Sequence, residues 1–140
     1  MWPREFSGRL SAWGSLRQSV QHLPVPQALH EINAWWFGAP WSSYYLHWDD
    51  VATWPDPWQL LSDNIFCEVA RGLGIMYTTA LLDRDDIRDL ELIESHDGTI
   101  VCVENGKYIL NWRPDTIVNI SPESGATLHR LHQKILESKL

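Results

Sequence analysis

The groups in this chain best suited to chemistry are two thiols and six imidazoles. Cys67 lies in SDNIFCEVARGLG and Cys102 in TIVCVEN. A cysteine can act as a nucleophile or metal ligand through its thiolate, or pack as a small apolar side chain. Two cysteines in 140 residues do not make a disulfide framework, so a reducing compartment is expected. No Cys or His pair has zinc-site spacing. His129 and His132 lie three apart on an expected helix, where they would share one metal or one solvated face. The solvated face is the expectation, and neither a metal nor a cofactor is expected. His47, in YYLHWDD, is expected to hydrogen-bond Asp49 or Asp50. There is no Walker loop and no dinucleotide-binding glycine pattern.

These groups need elements to position them. Leu10, Trp13, Leu16 and Val20 recur at helical spacing and predict a first helix over 9–22. In PQALHEINAWWF, Pro26 suits a first turn and Leu29, Ile32 and Trp36 share one face, ended by Gly38 and Pro40. WPDP (54–57) is expected to be non-helical. After it, PWQLLSDNIFCEVARGLGIMYTTALL predicts two helical pieces, the second capped by Ser62, Asp63 or Asn64. Gly72 and Gly74 inside that piece suggest close approach of a neighbouring backbone. The period then changes to two in DLELIES, TIVCVEN and KYILNW. HDG (96–98) joins the first two strands. Asn105-Gly106 is a type I′ hairpin signal that pairs Val103 with Tyr108, Cys102 with Ile109 and Ile100 with Asn111. TIVNIS (116–121) is a possible fourth strand, with Asp115 after Pro114 as a turn former. Ser124 or Thr127 is expected to cap a last helix carrying Leu128, Leu131, Ile135 and Leu136.

The expected fold is therefore α+β: N-terminal helices and a Cys-bearing helix packed on a small antiparallel β-meander, followed by a C-terminal helix. A single domain over 1–140 is expected. It comprises a helical, aromatic-rich part (1–53), a helix-plus-meander core (54–121) and the C-terminal helix (122–140). No apolar run approaches the roughly 20 residues of a membrane span, and MWPREFSGRL lacks the apolar stretch of a signal peptide. A net charge of −7 argues against a nucleic-acid partner.

The ordering of the core resembles the transglutaminase-like branch of the papain-like superfamily. The resemblance covers 54–112, through WPDPWQLLSDNIFCEVARGLG and TIVCVENGKYILNW. It implies a cysteine nucleophile opening a helix, a histidine beginning the second strand and an Asp or Asn on the third. Carried onto this chain, it implies Cys67 as nucleophile, His96 as base and Asn111 as the group that orients the base. The sequence departs from that pattern at the site itself. Phe66 and Glu68 flank Cys67 where the family has a small residue, often glycine, and an adjacent carboxylate opposes thiolate formation. His96 falls in the HDG turn, and Thr99 holds the strand position that faces the site. Cys67 is accordingly expected to be a packed, protonated thiol, and Cys102 a core residue.

Six of nine tryptophans fall within 24 residues, in AWWFGAPWSSYYLHWDDVATWPDPW, more than a core of this size comfortably hides. Aromatics are enriched at strong interfaces. Trp41, Tyr44, Tyr45 and Trp48, with Leu128, Leu131 and Ile135 of the last helix, are the expected contact residues. The first expectation is a non-catalytic assembly protein on a degenerate transglutaminase-like scaffold, whose partners are other protein subunits. A compact acidic chain of this style looks like a small tailed-phage gene product. A virion component of the neck, tail or baseplate is then expected, and otherwise a cytoplasmic protein. The alternative is a cysteine hydrolase or acyltransferase using Cys67, His96 and Asn111. A third is a carbohydrate-binding module that stacks sugars on Trp41, Tyr44, Tyr45 and Trp48.

Overall fold

A computed structural model describes residues 2–43, 46–114, 116–118 (backbone only) and 127–140. Tyr44, Tyr45, Asp115 and the expected cap Ser124 lie outside the described residues. Two helices open the chain, α1 (Phe6–Val20) and α2 (Val25–Trp36). A 3-10 segment (Trp48–Thr53) leads to α3 (Pro57–Asp63) and α4 (Glu68–Leu81). The sheet follows as β1 (Glu91–Ser95), β2 (Gly98–Val103), β3 (Tyr108–Arg113), β4 (Thr116–Val118) and β5 (Thr127–His132). A short helix α5 (Gln133–Leu136) comes last. The strand order is β4-β3-β2-β1-β5, with every neighbour antiparallel. The class is α+β, as the change of period predicts.

Local chemistry sets the element ends. Asp56 caps α3 by accepting from the Gln59 amide at 2.8 Å, and Pro57 opens the helix behind it. Asn64 does not cap α4; it closes α3 in the left-handed conformation (φ 56°), which asparagine tolerates better than most residues. The lead-in Ile65-Phe66-Cys67 then crosses to α4. Its Phe66 ring is wedged between Trp2 and Trp36, at 5.5 and 5.7 Å between centroids. The Asn105-Gly106 turn has positive φ at both residues, and Val103–Tyr108 and Cys102–Ile109 pair as expected.

The core lies between α1, α2 and α4 on one side and the inner sheet face on the other. Helix α4 is buried almost all round, with ten of its residues inaccessible. At its centre the Thr78 hydroxyl accepts from the indoles of Trp13 (2.8 Å) and Trp36 (2.9 Å) and donates to the Gly74 carbonyl. Gly74 does admit a close neighbour, but that neighbour is a side chain rather than a backbone: a Cβ there would fall 2.6 Å from the Trp36 ring. Leu92, Val101, Val103 and Leu110 face this core, while Ile93, Cys102 and Ile109 form a second cluster on the outer face. That is the period-two alternation of strands.

A C-terminal helix is present as expected, but it starts later and is shorter than the sequence predicts. Residues 127–132 form a strand on the free edge of β1, and the helix that follows is only Gln133–Leu136. Leu128 and Leu131 fit a helical stripe, yet β1 offers a row of unpaired backbone groups that a strand satisfies. Leu131, expected at an interface, is instead a core residue opposite Leu92 and 6% exposed. His129 and His132, an odd number of residues apart on a strand, point to opposite faces rather than sharing one. They meet different carboxylates, Glu94 and Asp89. The tryptophans are also better hidden than their number suggests. Only Trp41 and Trp58 are exposed, at 63% and 41%.

Candidate functional site

Cys67 is the residue immediately before α4, with extended backbone, and is buried. Asn64 ends one helix and Cys67 begins the next, so the thiol stands at a helix start, as the resemblance implies, and not inside a helix. The strand positions that the resemblance pairs with it are occupied differently. His96 is an exposed residue of the β1–β2 turn. Thr99 sits on β2 facing α4 and is 2% exposed. Asn111 sits on β3, 1% exposed.

Asn111 reaches α4 through a break in strand parity. Tyr108 and Leu110 face inward and Ile109 outward, so a regular strand would turn residue 111 outward. Its φ of 64° reverses the sense, and the β3–β4 register shifts over the same stretch. The side chain thereby points at the first turn of α4. Its Nδ2 donates to the Glu68 carbonyl (3.0 Å) and the Thr99 carbonyl (2.9 Å). Its Oδ1 accepts from Arg71 Nε at 2.6 Å, and its backbone N–H donates to Asn33 Oδ1 at 2.8 Å. Asn33, fully buried on α2, completes the link by donating to the Arg113 carbonyl at 2.7 Å. Both amide hydrogens of Asn111 are therefore committed to backbone carbonyls.

Glu68 belongs to the same network. Its Oε1 accepts from the Thr99 amide at 2.9 Å. The carboxylate lies against Gly98, where φ is 133° and a Cβ would collide with it. The Arg71 Cζ lies over Phe37, 3.8 Å from the ring centroid, and 5.7 Å from the Trp41 ring centroid. Burial lowers the Arg71 pKa from its ordinary value, opposed by the charges of Glu68 and then Cys67. Sequence reasoning missed Asn33 and Arg71. Each is a polar residue on a helix and carries no local sign that it faces inward.

Cys67, Glu68 and Thr99 line one wall of a cavity of about 410 Å³, and His47, His129 and Glu94 also line it. His129 Nδ1 lies 2.9 Å from Glu94 Oε1, and its ring stacks on Trp48 with centroids 5.0 Å apart and planes 4° from parallel. An imidazole held by a carboxylate therefore stands in the same cavity as a thiol at a helix start. General-base activation needs direct hydrogen-bond reach. Among the described residues, the Cys67 sulfur forms no hydrogen bond. Cys102 lies on the far side of the sheet, and both cysteines are free. Burial first, and Glu91 second, push the Cys102 thiol up to about 11, with Arg130 opposing. Among the described residues, no three His, Cys, Asp or Glu side chains are grouped to hold a metal ion. No described helix is long and apolar enough to cross a membrane.

Of the expected contact residues, Trp41, Leu128 and Ile135 are exposed, at 63%, 47% and 60%. Trp48 is half-buried under His129. No family model, no curated protein and no solved structure matches this chain.

Proposed function

We propose that this chain is a non-catalytic assembly protein built on a transglutaminase-like scaffold, a component of a tailed-phage virion at its neck, tail or baseplate. Its partners are other protein subunits of that particle. The observation that carries the non-catalytic part is the saturation of Asn111. An orienting amide has to hold an imidazole, and here it holds Glu68, Thr99 and Arg71 instead. Thr99, which has no ring to present to a thiol, fills the strand position nearest that amide. Support for a contact role comes from the exposed apolar side chains Trp41, Leu128 and Ile135. These are side chains whose burial against a partner would be favourable.

The test is to quantify the chain in purified particles by mass spectrometry. A fixed copy number that survives a density gradient is expected. Its absence from particles, with all of it free as a monomer in the lysate, would overturn the proposal.

One observation favours a second reading, thiol-dependent acyl transfer: Cys67 shares a cavity with His129, whose ring Glu94 orients. That reading replaces His96 with His129 as base. It requires the imidazole to come into reach of the sulfur.

A further inference from the structure

The cavity beside Cys67 has a chemical character that an assembly role alone does not demand. Two of its walls are the indoles of Trp41 and Trp48. Three carboxylates, Asp49, Glu68 and Glu94, border it, and none of the described residues lining it is a lysine or arginine. Among the described residues Arg71 is a neighbouring cation that offsets Glu68 in part, and with His47 and His129 counted as neutral the balance is negative. The chain as a whole carries −7.

We infer that this cavity receives an arginine side chain from a partner protein. The inference rests on the assembly role and names the kind of group the partner contributes. A guanidinium is planar, stacks on aromatic faces and forms paired hydrogen bonds with carboxylates, which a lysine ammonium does less well. Each feature has its counterpart here. The Trp41 indole, 63% exposed, offers the aromatic face, and the Trp48 indole beside it is fixed by its stack on His129 and its edge contact with Trp54. Glu94 engages His129 through Oε1, which leaves Oε2 to accept. Asp49 is exposed at the border and adds a second acceptor. The chain already uses the same recognition internally, with the Arg71 guanidinium laid over Phe37 and beside Trp41.

The test is a titration of the ¹⁵N-labelled chain with Nα-acetyl-arginine amide, following the indole N–H signals of Trp41 and Trp48. Nα-acetyl-norleucine amide serves as the uncharged control. Saturable shifts of both indoles with the arginine probe alone are expected. Asp49→Asn should weaken binding by about threefold to fivefold, the size of one partly exposed charge contact. Glu94→Gln should weaken it further. Because Asp49 is exposed, its variant keeps the test decisive even where Glu94→Gln fails to fold. Equal shifts with norleucine amide, no shift with either probe, or an unchanged affinity in Asp49→Asn would overturn the inference. A flat titration for a chain that is present in particles sinks the arginine site alone. A saturable titration for a chain absent from particles sinks the assembly role alone.

Discussion

Exchanging Asn111 for aspartate separates the two roles an amide at this position can have. A group that orients an imidazole works as either Asn or Asp, whereas a group that ties backbone carbonyls together needs its hydrogens. In Asn111→Asp both Nδ2 donors vanish, and an oxygen faces the Glu68 and Thr99 carbonyls at about the 3.0 and 2.9 Å now spanned by hydrogen bonds. Each donor lost here costs about 1–3 kcal/mol, because a carboxylate oxygen is left against a buried carbonyl oxygen. The new carboxylate recovers part of this from Arg71, whose Nε already lies 2.6 Å from Oδ1. The net loss is about 2–4 kcal/mol, since a partly buried charge pair offsets its desolvation only in part. With a urea dependence of about 2 kcal/mol per molar, the unfolding midpoint should fall by roughly 1–2 M. Tryptophan fluorescence reads it directly. Two companions isolate the backbone contribution. At φ 64°, alanine is strained and glycine is not, so Asn111→Gly should be more stable than Asn111→Ala by about 1 kcal/mol despite its smaller side chain. A midpoint for Asn111→Asp within about 0.3 M of wild type would refute the reasoning, because that is near the error of such fits. So would an alanine variant as stable as the glycine one.

Other consequences follow from particular contacts. Thr78→Val keeps the shape but orphans the indole N–H groups of Trp13 and Trp36, and should cost about 2–5 kcal/mol by urea unfolding. Thr78→Ser, which keeps the hydroxyl, should cost only about 1 kcal/mol for the missing methyl. Gly74→Ala drives a methyl into the Trp36 ring and should lower stability by about 1–3 kcal/mol, visible as a drop in Tm. The raised Cys102 pKa makes stability depend on alkaline pH. Its contribution is complete below the ordinary thiol range and is lost as pH rises through about 11, so Cys102→Ala should flatten the stability profile between those limits.

The legible parts of this fold were those set by neighbours in sequence. The Asn105-Gly106 turn fixes its own register, because only a few residue types accept positive φ in succession. The apolar stripe of α2 survives translation into structure, with Leu29, Ile32 and Trp36 all buried. What failed depended on distant partners. Residues 127–132 carry a pattern that suits a helix, and only the open edge of β1 makes them a strand. His129 and Glu94, which meet in the cavity, are 35 residues apart. At the candidate site, Asn111 on the third strand was legible from element order; Cys67 at a helix start followed from the resemblance, whereas capping residues placed that start at 62–64. The inward turn of Asn111 was not, since it rests on one left-handed residue that reverses the strand's parity. Asn33 and Arg71 were invisible for the related reason that a polar residue within a helix ordinarily faces water.

The central claim is that the thiol at the start of α4 is packed and, among the described residues, hydrogen-bonds to no base. Alkylation of the folded Cys102→Ala protein with iodoacetamide at neutral pH, followed by peptide mass spectrometry at Cys67, tests it most directly. A buried thiol without a base should react much more slowly than glutathione under the same conditions and reach its rate only after unfolding in urea. Native-state labelling faster than glutathione, abolished by His129→Ala while the fold persists, would contradict it.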